Sequence, residues 1–320
     1  MKYHIITYGC QMNKADSERI ATVLERKGYL PARNIKQASF VVVNMCSVRQ
    51  SAVDRVYNKI KNLKDKQIII TGCILKQDRT KLKKNKCEII DFKDLFKIEP
   101  KIIYPECFVP IMEGCNNFCA YCVVPYTRGR EQYRKEAEII NEATTLIKKG
   151  CPKITLLGQN VNSYPNFSTL LTKINNLPGN FKITFLTSHP KDFSAQLIDV
   201  MAKSTKIIKH LNLPVQSGDD DILKRMNRPY TVQQYKNLVA RIRKKIPDIR
   251  LSTDIIVGFP GETKKQFERT VKLFKEIKFN AAYISKYSPR PGTAAFKMKD
   301  NVPLEEKKRR TKCLRNLLSS

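Results

Sequence analysis

A chain of 320 residues, 42% of them hydrophobic, is long enough for two domains and apolar enough to bury a core, which excludes disorder as its default state. Its 60 Lys and Arg against 29 Asp and Glu leave a formal charge of +31. That excess suits a polyanion such as nucleic acid; a lysine-solvated surface is the other reading, because the lysines are spread along the whole chain. The N-terminus lacks the apolar core of a secretion signal, and no apolar run is long enough to cross a membrane. No membrane partner and a cytoplasmic location are therefore expected, with the ten cysteines used as thiols for metal rather than as disulfides.

The first third of the chain alternates short apolar runs with amphipathic ones. Residues 2–8 read as a strand and 14–27 as a helix closed by Gly28. Residues 40–44, with the run Val41-Val42-Val43, read as a buried parallel strand, and a helix follows over about 49–63. A third strand at 67–71 precedes a strongly basic helix at 76–84. This alternation predicts a small doubly wound parallel sheet. Cys10, Cys46 and Cys73 each follow one of the three strands. Loops after neighbouring parallel strands gather at one sheet edge, so a three-cysteine cluster site is expected there; three thiols buried in the core are the alternative.

Over residues 91–105 the periodicity fades, and Pro100 and Pro105 punctuate the connection. The expected domains are 1–104 and 105–320. The second opens on a strand at 108–112 that runs into Cys115, Cys119 and Cys122, spaced Cys-x3-Cys-x2-Cys. A four-iron, four-sulfur cluster normally takes four cysteines, so three leave one iron open for chemistry. A zinc site would want a fourth Cys or His close by, and none stands there. A helix over 134–149 ends at Gly150, and strands follow at 153–157, 182–186, 209–213, 251–257 and 281–286. Helical patterns separate them, including 231–246 and 263–278, each with a threonine as N-cap. Six strands alternating with helices predict a partial (β/α)6 barrel behind the doubly wound sheet, an α/β protein throughout. In such a barrel the loops after the strands carry the chemistry, and the polar motifs are there: Gly158-Gln159-Asn160, Ser188-His189-Pro190, Gln216-Ser217-Gly218 and Gly258-Phe259-Pro260-Gly261-Glu262. No Ser-His-Asp or paired-carboxylate constellation appears, and there are only three histidines. Cys87, Cys107, Cys151 and Cys313 fit no cluster motif and read as ordinary thiols, two of them buried at strand starts.

The spacing of Cys115, Cys119 and Cys122, with Tyr121 before the last, resembles that of the radical S-adenosylmethionine enzymes. Thr7-Tyr8-Gly9-Cys10-Gln11-Met12-Asn13 with Asp16-Ser17-Glu18 resembles the opening signature of the methylthiotransferases, in the branch that acts on isopentenylated adenosine in transfer RNA. Asn44-Met45-Cys46-Ser47-Val48-Arg49 and Thr71-Gly72-Cys73 are similar to that family's next cluster loops, with Met45 where Thr is more usual. Residues 114–131, Leu157-Gly158-Gln159-Asn160-Val161-Asn162-Ser163-Tyr164, Leu213-Pro214-Val215-Gln216-Ser217-Gly218, Met226-Asn227-Arg228 and Tyr287-Ser288-Pro289-Arg290-Pro291-Gly292-Thr293 extend the resemblance over nearly the whole chain, in order.

The resemblance implies two [4Fe-4S] clusters, one on the catalytic triad Cys115, Cys119 and Cys122 and one on Cys10, Cys46 and Cys73. It implies S-adenosylmethionine used twice, once for its methyl group and once as the source of a 5′-deoxyadenosyl radical. That radical removes hydrogen from C2 of N6-(dimethylallyl)adenosine beside the anticodon, and a methylthio group takes its place. An aromatic C2–H is too weakly acidic for a side-chain base, so the cofactors carry the hard chemistry. At the barrel-strand ends, Gln159 and Asn160 are expected to contact the amino-acid or ribose portion of S-adenosylmethionine, and Ser188 and Gln216 the ribose hydroxyls; the apolar strand at 254–258 is expected against adenine. Arg128, Arg130 and Arg228 either hold a substrate or cofactor carboxylate or are solvated, and His189 either lines the pocket or is structural. The implied partners are the transfer RNA anticodon stem-loop and a flavodoxin or ferredoxin as electron donor, with the chain acting as a monomer. Family members usually carry a further small barrel, the TRAM domain, that grips transfer RNA. Nothing here resembles it; a basic helix reads at 305–318 with Lys307-Lys308-Arg309-Arg310, and the basic surface is expected to compensate in part. The alternatives are the same chemistry on threonylcarbamoyl-adenosine or a ribosomal protein, and an inactive iron–sulfur RNA-binding relic.

Overall fold

The computed structural model describes residues 1–48, 50–63, 65–92, 94–100 and 107–319. Its contacts divide the chain into two compact units, residues 1–115 with 123–158, and 116–122 with 159–320. The expected boundary between residues 104 and 105 lies outside the described residues, as does Arg49.

The first unit opens with β1 (Lys2–Thr7), α1 (Gln11–Arg26), β2 (Leu30–Pro31), β3 (Phe40–Cys46), α2 (Gln50–Lys61), β4 (Gln67–Cys73), α3 (Lys76–Lys84) and β5 (Glu88–Ile89). They form a five-stranded sheet in the order β2-β1-β3-β4-β5, every pairing parallel. The three expected strands are its centre. The edge strands β2 and β5 have two residues each, too few to show a period. Every residue of β3 is buried because helices cover both faces. Val41, Val43 and Met45 pack with Val53, Val56 and Ile60 of α2 and Leu82 of α3, whereas Phe40 and Val42 pack with Ile20, Ala21 and Leu24 of α1.

The same unit continues with β6 (Cys107–Pro110), β7 (Met112–Glu113), α4 (Val124–Thr127), β8 (Gln132–Tyr133), α5 (Glu136–Lys148) and β9 (Lys153–Leu157). β6 pairs with β9 in parallel, and β7 with β8 antiparallel. Arg19 of α1 reaches Glu142 of α5 at 2.6 Å, and Arg134 reaches the same carboxylate at 2.5 Å, so a buried two-arginine clamp ties the helices together. One expectation fails here. Cys107 and Cys151 are buried at strand starts but form a disulfide rather than two thiols, their Cα atoms 6.4 Å apart. The pairing of β6 with β9 sets Cys107 opposite Ile154, which carries Cys151 to bonding distance; the two elements are 44 residues apart, so spacing alone could not reveal it.

The second unit contains α6 (Phe167–Asn175), β10 (Lys182–Phe185), α7 (Ala195–Lys203), β11 (His210–Asn212), α8 (Asp220–Arg225), α9 (Val232–Lys245), β12 (Arg250–Val257), α10 (Lys264–Ile277), β13 (Ala281–Lys286) and α11 (Leu304–Ser319). β11, β12 and β13 form a parallel sheet in that order. Thr231 and Thr263 cap α9 and α10 in reciprocal boxes with Gln234 and Gln266, so each helix begins where its threonine predicts. Among the described residues no helix is long and apolar enough to cross a membrane.

Candidate active site

In the first unit, the ends of the central strands converge. Cys46 and Cys73 close β3 and β4 and are register partners across the ladder. Cys10 directly precedes α1, and a methyl group placed on Gly9 would lie 2.8 Å from Cys46 Cβ, so the first and second loops are packed against each other. Two buried asparagines hold that packing. Asn13 Nδ2 donates to Asn44 Oδ1 at 3.0 Å and to the Met45 carbonyl at 3.2 Å, while Asn44 Nδ2 donates to the Asn13 carbonyl at 2.8 Å and to Ser17 Oγ at 3.0 Å. Asn13 Oδ1 also accepts from the Cys10 amide at 3.4 Å. Burial pushes the Cys73 thiol up to about 12; Arg128 opposes the shift, and the negative charge of Cys46 and Cys10 adds to it, as thiols in one another's field require.

Arg128 is not solvated. Its Nε donates to Cys73 Sγ at 3.0 Å, Nη1 to Glu113 Oε1 at 2.7 Å and Nη2 to Asp16 Oδ2 at 2.6 Å. Each of the three guanidinium nitrogens donates within the first unit. Beside it opens a cavity of about 400 Å³ lined by Asp16, Thr71, Gly72, Glu113, Thr127 and Arg128 among others. Cys115, also in this unit, is buried, and its amide donates to the Gly129 carbonyl at 3.1 Å. Gly114 just before it has φ +82°, and a methyl there would come within 2.1 Å of the Arg130 carbonyl oxygen.

In the second unit, Cys119 is buried and Cys122 half-buried, joined by a turn in which the Cys122 amide donates to the Cys119 carbonyl at 2.9 Å. The Ala120 amide donates to the Met226 carbonyl, and the Ala295 amide to the Ala120 carbonyl, so the segment is seated in a cluster with Ile222, Phe259 and Tyr287. Asn227 Nδ2 donates to the Asn117 and Phe118 carbonyls at 3.1 and 3.0 Å. Arg228 parallels Arg128 in role. Its Nη1 donates to Cys119 Sγ at 3.6 Å, Nη2 to the Pro214 carbonyl at 2.7 Å and Nε to Tyr230 Oη at 2.8 Å.

The expected cofactor-contact residues of this unit stand at strand ends, in different states. Asn160 is buried; its Nδ2 donates to Asp192 Oδ2 at 2.7 Å, but its Oδ1 has no partner. Gln216 has φ +73°, bridges to Ile255 of β12 and leaves Oε1 unpartnered. Ser188 already donates to the Asn212 carbonyl at 2.5 Å, and Gln159 is half-buried. His189 is buried, and Lys191 N–H donates to its Nδ1 at 3.2 Å. The proton of the neutral ring is therefore on Nε2, a buried donor with no partner. Two orphaned acceptors and one orphaned donor at polar strand ends of the second unit fit a ligand rich in hydroxyl, amine and carboxylate groups, which S-adenosylmethionine is.

Among the described residues no three His, Cys, Asp or Glu side chains close on a single ion. A cubane cluster takes one thiolate at each of three different irons, so its ligands stand further apart than those of one metal ion. The soft, all-thiolate donor set fits such a cluster. The sequence did not single out Tyr230 or Asp192, and it placed Asn44 in a motif without its bonds to Asn13 and Ser17, because these residue types carry no chemical signature by themselves. It named Arg128 and Arg228 without their sulfur partners, which lie 55 and 109 positions away.

Residues 109–274 match the family model described as the radical SAM superfamily, and residues 2–92 match the one described as uncharacterized protein family UPF0004. The chain is 44% identical to the tRNA-2-methylthio-N(6)-dimethylallyladenosine synthase of Dehalococcoides mccartyi, over 98% of the chain and 82% of the relative. The enzyme of that name from Carboxydothermus hydrogenoformans is 42% identical, over 96% of the chain and 81% of the relative. The chain belongs to this family of radical SAM methylthiotransferases. The solved radical S-adenosylmethionine methyltransferase TsrM of Kitasatospora setae shares the fold, with a TM-score of 0.64, 13% identity and coverage of 92% of this chain and 76% of that one. Family membership brings with it a [4Fe-4S] cluster and S-adenosylmethionine.

Proposed function

We propose that the chain inserts a methylthio group at C2 of N6-(dimethylallyl)adenosine beside the anticodon of transfer RNA. What supports the reading is the identity of 44% with an enzyme of that name, over 98% of the chain. Cys115, Cys119 and Cys122 would hold the cluster that binds S-adenosylmethionine, and Cys10, Cys46 and Cys73 a second one. Together these groups supply, when bound, a 5′-deoxyadenosyl radical, a methyl group and sulfur. The chain's own part is placement. Asn160 Oδ1 and Gln216 Oε1 offer acceptors, and His189 Nε2–H a donor, for the polar portion of S-adenosylmethionine. Arg228 and Arg128 each give a hydrogen bond to a cysteine sulfur, which draws charge from it and favours thiolate over thiol. Gly9, Gly72 and Gly114 let the loops approach closely enough for the thiols to converge. In this reading the protein works as a cytoplasmic monomer fed electrons by a flavodoxin or ferredoxin.

The test is complementation of a strain lacking the modification, followed by mass spectrometry of the digested transfer RNA. The 2-methylthio-N6-dimethylallyl nucleoside is the expected product. A methylthio-threonylcarbamoyl nucleoside would reassign the substrate, and no methylthio nucleoside would overturn the reading.

A further inference from the structure

The charge of +31 is not displayed evenly. On α11, where the run Lys307-Lys308-Arg309-Arg310 looked like the basic surface, the cations are answered by the chain's own carboxylates. Lys307 meets Asp300 at 2.7 Å, Lys308 meets Glu305 at 2.7 Å and Arg309 meets Glu306 at 2.6 Å. Arg310 is buried against Glu262 at 2.7 Å and Glu306 at 2.8 Å. A cation held this way has little field left for a partner.

The α3 helix is the opposite case. At 3.6 residues per turn, Lys76, Gln77, Thr80, Lys81, Lys83 and Lys84 occupy one side, all exposed, while Asp78 and Leu82 are buried on the other. Lys86 follows directly and is also exposed. Among the described residues none of these ammonium groups is paired with a carboxylate, and the one acidic residue of the helix, Asp78, is turned inward to accept from Ser47 Oγ at 3.2 Å. The helix dipole favours cations at the C-terminal end, which accounts for Lys81, Lys83 and Lys84, but it disfavours Lys76 on the first turn. Fold stability therefore does not explain the whole face. Its position matters as well. α3 starts three residues after Cys73, and the Ser47–Asp78 bond ties it to the residue following Cys46.

We propose that the lysine face of α3 binds the phosphate backbone of the transfer RNA, next to the Cys10, Cys46 and Cys73 loops; this rests on the transfer RNA reading above. Unpaired ammonium groups side by side match closely spaced phosphates, and each phosphate neutralised releases counterions. The test is fluorescence anisotropy of a labelled transfer RNA transcript across a salt series. The variant Lys81→Gln/Lys83→Gln/Lys84→Gln is compared with Lys308→Gln/Arg309→Gln on α11, with the fold of each checked by circular dichroism. The α3 variant is expected to bind more than about tenfold more weakly at low salt and to flatten the log–log salt slope by about 2–3, whereas the α11 variant keeps the wild-type slope. Wild-type binding with an unchanged slope in the α3 variant, or an equal loss in the α11 variant, overturns the surface alone. A wild-type chain that binds no transfer RNA overturns the substrate reading and the surface with it.

Discussion

Arg128 shows how much one side chain can carry. A single guanidinium compensates Asp16 and Glu113 and donates to Cys73. Arg128→Met leaves those groups buried without a cation, a loss of about 3–5 kcal/mol by the behaviour of broken buried pairs. It should also weaken iron binding at the Cys10/Cys46/Cys73 triad by about 10–100-fold, read as a fall of up to about half in the iron per chain after anaerobic reconstitution and desalting. Arg128→Lys keeps the charge but not the three-way fork and should fall between. His189 makes a different kind of prediction. Burial, helped by Arg228 and Lys191, pushes its pKa from 6.5 down to about 2, so the fold holds the ring neutral. The unfolded chain takes up a proton below pH 6.5 that the folded one refuses. Stability is thus fully present above that pH and is lost as pH falls, at a rate approaching about 1.4 kcal/mol per pH unit. Urea unfolding at pH 7 and pH 5 should show a larger loss in wild type than in His189→Gln.

At the scale of elements, the strand ends matter more than the strands. β3 and β4 are held by an ordinary Val/Ile ladder, but their last residues are Cys46 and Cys73, and Gly72 between them and the core has no room for a side chain. Its φ is +95°, and a methyl there would stand 2.3 Å from Asn44 Oδ1 and 2.5 Å from the Met45 carbonyl oxygen. Gly72→Ala should cost about 1–3 kcal/mol for the backbone conformation alone. Displacing Asn44 would also loosen its bonds to Asn13, so the variant should lose iron from this triad while Cys119-dependent S-adenosylmethionine cleavage survives. Thermal unfolding and iron analysis read the two effects separately. The sheet centre was legible because fully buried parallel strands appear as unbroken β-branched runs. The edge strands and the Cys107–Cys151 bond were not, because a two-residue strand and a contact 44 positions apart leave no local pattern.

At the scale of the whole molecule, two triads in one chain predict roughly eight irons per protein, since each cluster holds four. Cys73→Ala and Cys119→Ala should each remove about half. Only Cys119→Ala should abolish release of 5′-deoxyadenosine. An unchanged yield from that variant would mean that the radical is made elsewhere. Net charge belongs to this scale too, but it misleads unless pairing is considered. The basic run of α11 and the basic face of α3 look alike in sequence, and the positions of Asp300, Glu262, Glu305 and Glu306 separate them.

The order of strands and helices, the spacing of the cysteines and the family signature needed nothing beyond the residues themselves, because periodicity, capping and motif spacing act between near neighbours along the chain. Which arginine faces which sulfur, which acceptors stay unpaired at the strand ends and which lysines remain uncompensated were decided by tertiary structure. Those properties depend on groups distant in sequence and on the water excluded between them, and neither has a local signature.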